Sequence, residues 1–250
     1  MELIVDDEHP GTDERTWLSD LRLGQLRPLQ VRRPQRLVIV APHPDDEVLG
    51  VGGLLQVLAA RGVEIVVLAV TDGEASHPGA QRCGHDLAAI RAIESRVALR
   101  RLECGGTQIE RLRFADGSVA EHREDLTDLL RRVLRPRDLC LAPWRADGHP
   151  DHEATGLAAV RAARSTGTPV LEYLVWAWHW ARPGSTDLPW DRCRRVELGR
   201  RQAARKRWAS YAFASQIRPF GSDHGGRPLL SDGVLRRFWR PFEVFVEAEA

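Results

Sequence analysis

Two short clusters carry the residue types from which a hydrolytic metal site is built: Pro42-His43-Pro44-Asp45-Asp46-Glu47, and far downstream Asp147-Gly148-His149-Pro150-Asp151-His152. His43, Asp46 and His152 could give a divalent metal two imidazoles and one carboxylate, leaving a fourth place for water, which is the ligand pattern of a catalytic zinc site. Imidazole and carboxylate donors suit Fe2+ or another divalent ion as well. A proline beside each histidine stiffens its loop and lowers the entropy lost on fixing ligand geometry. Asp45 sits next to the ligand Asp46 but points elsewhere, which frees it to take a proton from the attacking water. His149 is a candidate to stabilise an oxyanion or to protonate a leaving amine, and Asp151 could hold its tautomer.

Loops of this kind need a rigid frame. Arg36–Ala41 (RLVIVA) and Val63–Val70 (VEIVVLAV) are continuous apolar runs, as expected of strands buried on both faces. Between them lies a helix, Val48–Arg61, closed by Gly62. Two buried strands joined by a helix make a βαβ unit, hence a parallel sheet with a right-handed crossover. The alternation continues through a helix at His85–Leu102, a strand at Ile109–Phe114, a helix at Arg123–Leu134, a strand at Asp138–Ala142 and a helix at Glu153–Ser165. Beyond it the pattern predicts a long strand at Val170–Trp180, a short one at Arg194–Leu198, a basic helix at Arg200–Phe213 and a final strand at Pro241–Glu247. Residues 1–35 read as a polar N-terminal arm with one short helix around Thr12–Leu21. The fold class is therefore α/β: a Rossmann-like α/β/α sandwich with a mostly parallel sheet and an elaborated C-terminal region, one domain over residues 1–250. Each cluster directly follows a buried strand and opens the next helix, so both lie at the carboxyl edge of the sheet, where open parallel sheets bind ligands. A lone His-Pro or Asp-Asp pair is usually a solvated turn or a cap; two such clusters at one sheet edge are not explained that way.

The formal charge is +1, from 36 basic and 35 acidic residues, and this balance argues against a general nucleic-acid binder. The cysteines Cys83, Cys104, Cys140 and Cys193 are scattered and form no CxxC pair, so they read as reduced and mostly buried. The acidic N-terminus lacks the pattern of a secretory signal, and no apolar run approaches the ~20 residues that span a bilayer. The expectation is a cytoplasmic protein without a membrane span, its oligomeric state open.

PHPDDEVLGVGG followed by DGHPDHEATG resembles the PIG-L/LmbE-like family of zinc-dependent N-acetylglucosaminyl deacetylases, over most of Arg36–Gln216. The resemblance implies that His43, Asp46 and His152 bind zinc, that Asp45 is the general base and that His149 is an electrostatic catalyst. Arg91-Ala92-Ile93-Glu94 is similar to a family helix segment whose arginine contacts substrate, and Phe114-Ala115-Asp116-Gly117 to one whose aspartate binds sugar hydroxyls. Arg91 and Asp116 are thus implied substrate-binding residues, and Ser215-Gln216 resembles a downstream pair near the site. In one respect the chain departs: Asp147 stands where some members carry a tyrosine that assists the oxyanion, so that role does not carry over.

Other features invite blander readings. Gly50-Val51-Gly52-Gly53 lacks the third glycine of a dinucleotide fingerprint, Leu55 standing there, and suits close packing of a helix on the sheet. Trp176, Trp178 and Trp180 alternate along the expected strand and could form a sugar platform, although core packing is the more frequent reason. His179 reads as a structural histidine, and His77, His85, His122 and His224 as surface or loop residues. The Arg200–Arg207 stretch reads as a solvated face and Asp6–Glu8 as part of the arm. Together these features lead to the expectation of zinc-dependent hydrolysis of an N-acyl, chiefly N-acetyl, amide on an amino-sugar-containing small molecule. Its rivals are a metal-dependent phosphoesterase, disfavoured because only one ligand set can be assembled, and a non-catalytic metal- or sugar-binding protein, in which Asp45 and His149 would have no role.

Overall fold

A computed structural model describes residues 11–77, 79, 86–220 and 227–248. The expectations for Asp6–Glu8, Cys83, His85 and His224 lie outside the described residues. The chain begins with helices α1 (Glu14–Leu18) and α2 (Leu21–Gln25) and strand β1 (Arg27–Pro28). Then come β2 (Arg36–Ala41), α3 (Asp46–Leu49), α4 (Gly52–Ala59), β3 (Glu64–Thr71), α5 (Leu87–Arg101), β4 (Gln108–Phe114), α6 (Arg123–Val133), β5 (Asp138–Pro143) and α7 (Pro150–Thr166). The C-terminal third comprises β6 (Val170–Tyr173), α8 (Ala177–Trp180), β7 (Cys193–Glu197), α9 (Arg200–Ser210), α10 (Ala214–Ile217), α11 (Asp232–Arg236) and β8 (Phe242–Glu247).

The eight strands form one sheet in the order β1-β7-β8-β6-β5-β2-β3-β4. Every pairing is parallel except those of β8, which runs antiparallel to both β6 and β7. Alternate residues of the central strands feed two cores. Leu37, Ile39, Ile65 and Val67 pack on one face with residues of α3, α4 and α5, while Val38, Val40, Val66 and Leu68 pack on the other with α6 and α7. This two-sided burial is why those strands read as unbroken apolar runs. The β2–β5 register sets Arg36 opposite Asp138, and their side chains pair at 2.7 Å.

Several expectations are corrected. The helix expected at Val48–Arg61 is two helices, broken around Gly50–Val51. The glycines there do serve packing: a Cβ on Gly50 would lie 2.5 Å from the Tyr173 ring, and one on Gly53 would lie 2.4 Å from Leu198. The arm is not a loose appendage, because Trp17 is fully buried, sits edge-on to Trp178 at 5.0 Å and donates from Nε1 to the Trp178 carbonyl. Lys206 of the basic helix is buried rather than solvated. Its Nζ lies 2.6 Å from Glu243 Oε1, and the same carboxylate accepts the Gly53 and Leu54 N–H groups at the start of α4. The strand expected at Val170–Trp180 ends at Tyr173, and its tryptophans belong to a turn and α8. They therefore do not share one strand face.

Candidate metal centre and cleft

The carboxyl ends of β2, β3, β4, β5 and β6 open onto a cleft of about 490 Å³, lined among others by His43, Asp45, Asp46, Arg91, Asp116 and His149. The loop after β2 carries His43 and Asp45, and α3 begins at Asp46. The loop after β5 carries His149, which caps α7, and that helix delivers His152 in its first turn.

Three donor atoms converge at the floor. His43 Nδ1 lies 3.2 Å from His152 Nε2 and 3.5 Å from Asp46 Oδ2, and His152 Nε2 lies 3.3 Å from Asp46 Oδ2. Metal–ligand bonds of 2.0–2.2 Å in a tetrahedron place neighbouring donors about 3.3–3.6 Å apart. The triangle therefore fits a small divalent cation with one corner open. His149 offers a further ring nitrogen within 4.8 Å of those of His43 and His152.

Both imidazole donors are held from behind. His152 Nδ1 lies 2.9 Å from Asp147 Oδ2, which assigns its tautomer and leaves Nε2 to face the triangle. Asp147 is wholly buried, and its carboxylate also accepts the backbone N–H groups of Val175, Trp176 and Ala177. The position without the tyrosine thus acts as an orienting carboxylate. His43 Nε2 meets Asp116 Oδ1 at 3.1 Å and Asp151 Oδ2 at 3.3 Å. Asp151 therefore orients His43 rather than His149, whose Nδ1 accepts the Asp151 backbone N–H.

His43, Asp116 and Asp151 form a second group with metal-ligand spacing, where the sequence assembled only one. Its outer oxygens are already engaged: Asp151 accepts Gly117 N–H and Val119 N–H, and Asp116 Oδ2 accepts Ala75 N–H. Both groups also share His43, whose one neutral ring has a single lone pair, so the second group is an orienting shell for His43.

The charges follow from this packing. Burial disfavours a charged His152, yet Asp46 and Asp147 push its pKa up to about 9. His43 likewise rises well above its ordinary value despite burial, through Asp116, Asp151 and Asp46. The same contacts hold Asp46 far below the usual carboxylate range against its burial, chiefly through His152. His149 is pressed down to about 3 by burial and by its imidazole neighbours, so it is a neutral ring with its proton on Nε2. Asp45 moves the other way: burial raises it to about 8, with Arg91 opposing.

Arg91 and Asp116 both line the cleft, with both Nη groups of Arg91 and both carboxylate oxygens of Asp116 engaged, while the buried Arg91 Nε has no hydrogen-bond partner. Arg91 Nη1 donates to the Gly73 carbonyl, and Nη2 to the Pro44 carbonyl and to Asp45 Oδ2. Gln216 lines the cleft too, beside Ser76, and Glu94 holds its neighbour Ser215 through both N–H and Oγ. Of the tryptophan stripe only Trp176 reaches the cleft, lying nearly parallel to His149 at 6.2 Å. Trp178 is core, and Trp180 stacks on Trp144 and donates to the Asp147 carbonyl. His179 sits 2.8 Å from Arg237 and is structural. Sequence reasoning missed the orienting role of Asp147. Its place at the head of the second cluster was the available signal.

The sequence model of a family described as GlcNAc-PI de-N-acetylase matches residues 38–163, just over half of the chain. The diacetylchitobiose deacetylase of Thermococcus kodakarensis is 30% identical over 139 residues, covering 54% of this chain and 51% of its own. The 1D-myo-inositol 2-acetamido-2-deoxy-alpha-D-glucopyranoside deacetylase 1 of Saccharopolyspora erythraea is 32% identical over 168 residues, covering 51% of this chain and 54% of its own. The chain spans about half the length of these curated relatives. Among solved structures, the antimicrobial reagent A40926 pseudoaglycone deacetylase superposes with a TM-score of 0.60 at 26% identity, covering 86% of this chain and 97% of that one. The matched stretch runs from β2, which leads into His43, through most of the helix that carries His152, and on that match the chain belongs to the GlcNAc-PI de-N-acetylase (PIG-L) family.

Proposed function

We propose that the chain is a metal-dependent amidohydrolase that removes an N-acyl group, chiefly N-acetyl, from an amino-sugar-containing small molecule, with zinc as its metal. The observation that carries this reading is the triangle of His43 Nδ1, Asp46 Oδ2 and His152 Nε2, with Asp45 buried in the same cleft. When bound, a divalent cation supplies Lewis acidity: it polarises a carbonyl oxygen and acidifies water. Asp45 takes the proton from the attacking water, and the burial that raises its pKa above the usual carboxylate range strengthens it as a base. His149 is neutral and offers Nε2–H, so it stabilises the oxyanion as a hydrogen-bond donor, and the proton for the leaving amine comes from Asp45. The deacetylases named above support an amino-sugar substrate. The buried free thiols of Cys104, Cys140 and Cys193 favour a reducing compartment such as the cytoplasm. No helix among the described residues is long and apolar enough to cross a membrane.

The test is primary-amine release from a panel of N-acylated glucosamine derivatives, with phosphate esters alongside. Asp45→Asn is expected to keep its metal and lose roughly 10²–10⁴-fold in turnover. Near-normal turnover in that variant removes Asp45 as the base, and hydrolysis of phosphate esters alone overturns the reading.

A further inference from the structure

Asp45 occupies a backbone conformation that its residue type disfavours. Its φ is 146° and its ψ −27°, a positive-φ conformation that non-glycine residues strain to adopt. Successive residues at a helix start project roughly 100° apart, so two adjacent aspartates would ordinarily face different directions. Here Asp46 turns into the donor triangle while Asp45 still lines the same cleft, and the rotation at Asp45 reconciles the two.

Three groups hold that rotation. The buried Glu47 accepts the Asp45 N–H through Oε2 at 2.9 Å. Arg91, reaching across from α5, takes the Pro44 carbonyl at 2.8 Å and Asp45 Oδ2 at 3.2 Å through one nitrogen, and the Gly73 carbonyl at 2.9 Å through the other. Gly73 has φ +66°, and a Cβ there would fall 2.0 Å from Arg91 Nη1, so the guanidinium lies against the bare face of that residue. Thr71 ties this turn to the site loop, since its Oγ1 donates to the Pro42 carbonyl and accepts the Gly73 N–H.

We infer that Glu47, Arg91 and Gly73 form a clamp that holds Asp45 in this strained rotation and so aims it at the water it deprotonates. The assignment rests on the reading of Asp45 as the base. Glu47 and Arg91 are positioning residues that act through Asp45, and Gly73 is the seat of the guanidinium.

The clamp is tested by steady-state kinetics, metal titration and crystallography on three variants. Glu47→Ala is expected to lower kcat by about 10²-fold, the effect of misplacing a catalytic group by about 1 Å, with KM and metal affinity within threefold of wild type. Glu47→Gln, whose amide oxygen still accepts from the Asp45 N–H, is expected to restore most of kcat. Gly73→Ala, which adds one methyl group outside the cleft lining, is expected to reproduce the kcat loss by displacing Arg91. The inference is overturned if Glu47→Ala keeps kcat within threefold, or if kcat and metal affinity fall while KM rises. A crystal structure of metal-loaded Glu47→Ala reads the clamp without turnover. Asp45 is expected to leave positive φ, and a φ still near 146° overturns the clamp. If φ relaxes but the wild-type protein releases no amine from any amide, the clamp stands as geometry and the base assignment fails.

Discussion

A ring nitrogen cannot hold a proton and a metal at once, and at His43 and His152 the surrounding carboxylates favour the proton. With His152 pushed up to about 9 and His43 raised above its usual value, the metal-free pair carries added protonation at pH 7, one ring accepting from the other across the 3.2 Å between His43 Nδ1 and His152 Nε2. A divalent cation bound there would replace that protonation in neutralising Asp46. Zinc binding at pH 7 is therefore expected to release at least one proton, and the apparent affinity to tighten as pH rises toward 9. Calorimetry in buffers of different ionisation enthalpy counts the protons released. A pH-independent affinity with no proton release would remove these histidines as ligands.

At the scale of elements, the centre depends on a link between two loops. Asp147 joins the loop after β5 to the turn that opens α8, by accepting three N–H groups of that turn while holding His152. These are N–H groups that a helix start cannot satisfy internally. The link explains why Val170–Trp180 does not continue as a strand although its side chains alternate well enough. A buried carboxylate from a distant loop claims the amides that a neighbouring strand would otherwise need, and local alternation carries no trace of it. Removing the link in Asp147→Ala is expected to weaken metal binding about 10–100-fold and to destabilise the fold by at least about 3 kcal/mol. Competition with a chromophoric chelator measures the first and urea melts the second. A variant that binds zinc like wild type would show that His152 needs no such support.

At the scale of the whole molecule, the parallel half was legible because its strands are buried on both faces and its helices fill the gaps between them. Arg36–Ala41 was read with its observed bounds, and β3, β4 and β5 to within a residue. The donor residues were legible for the same reason, since His43 and His152 each sit where a legible strand gives way to a helix. Less could be read where partners are remote. The two residues of β1 hold their place by backbone pairing with β7, and Trp17 is buried by Trp178 and Trp190, all contacts across most of the chain. The orienting roles of Asp151 and Asp147 were hidden likewise, because which nitrogen a carboxylate meets depends on how two loops face each other.

The one antiparallel strand also imposes an order in time. β7 joins the sheet only through β8, and β1 only through β7, whereas β2 to β6 pair with no help from residues 242–247. During synthesis the site-bearing half can thus assemble while β7, with only the two-residue β1 to pair with, still lies off the main sheet, and the edge closes only after β8 leaves the ribosome. Ribosome-stalled chains ending before Phe242 are expected to be cut by trypsin in β7, and chains extending beyond the ribosomal exit tunnel to resist. Protection in the shorter chains would mean that the edge finds another partner first.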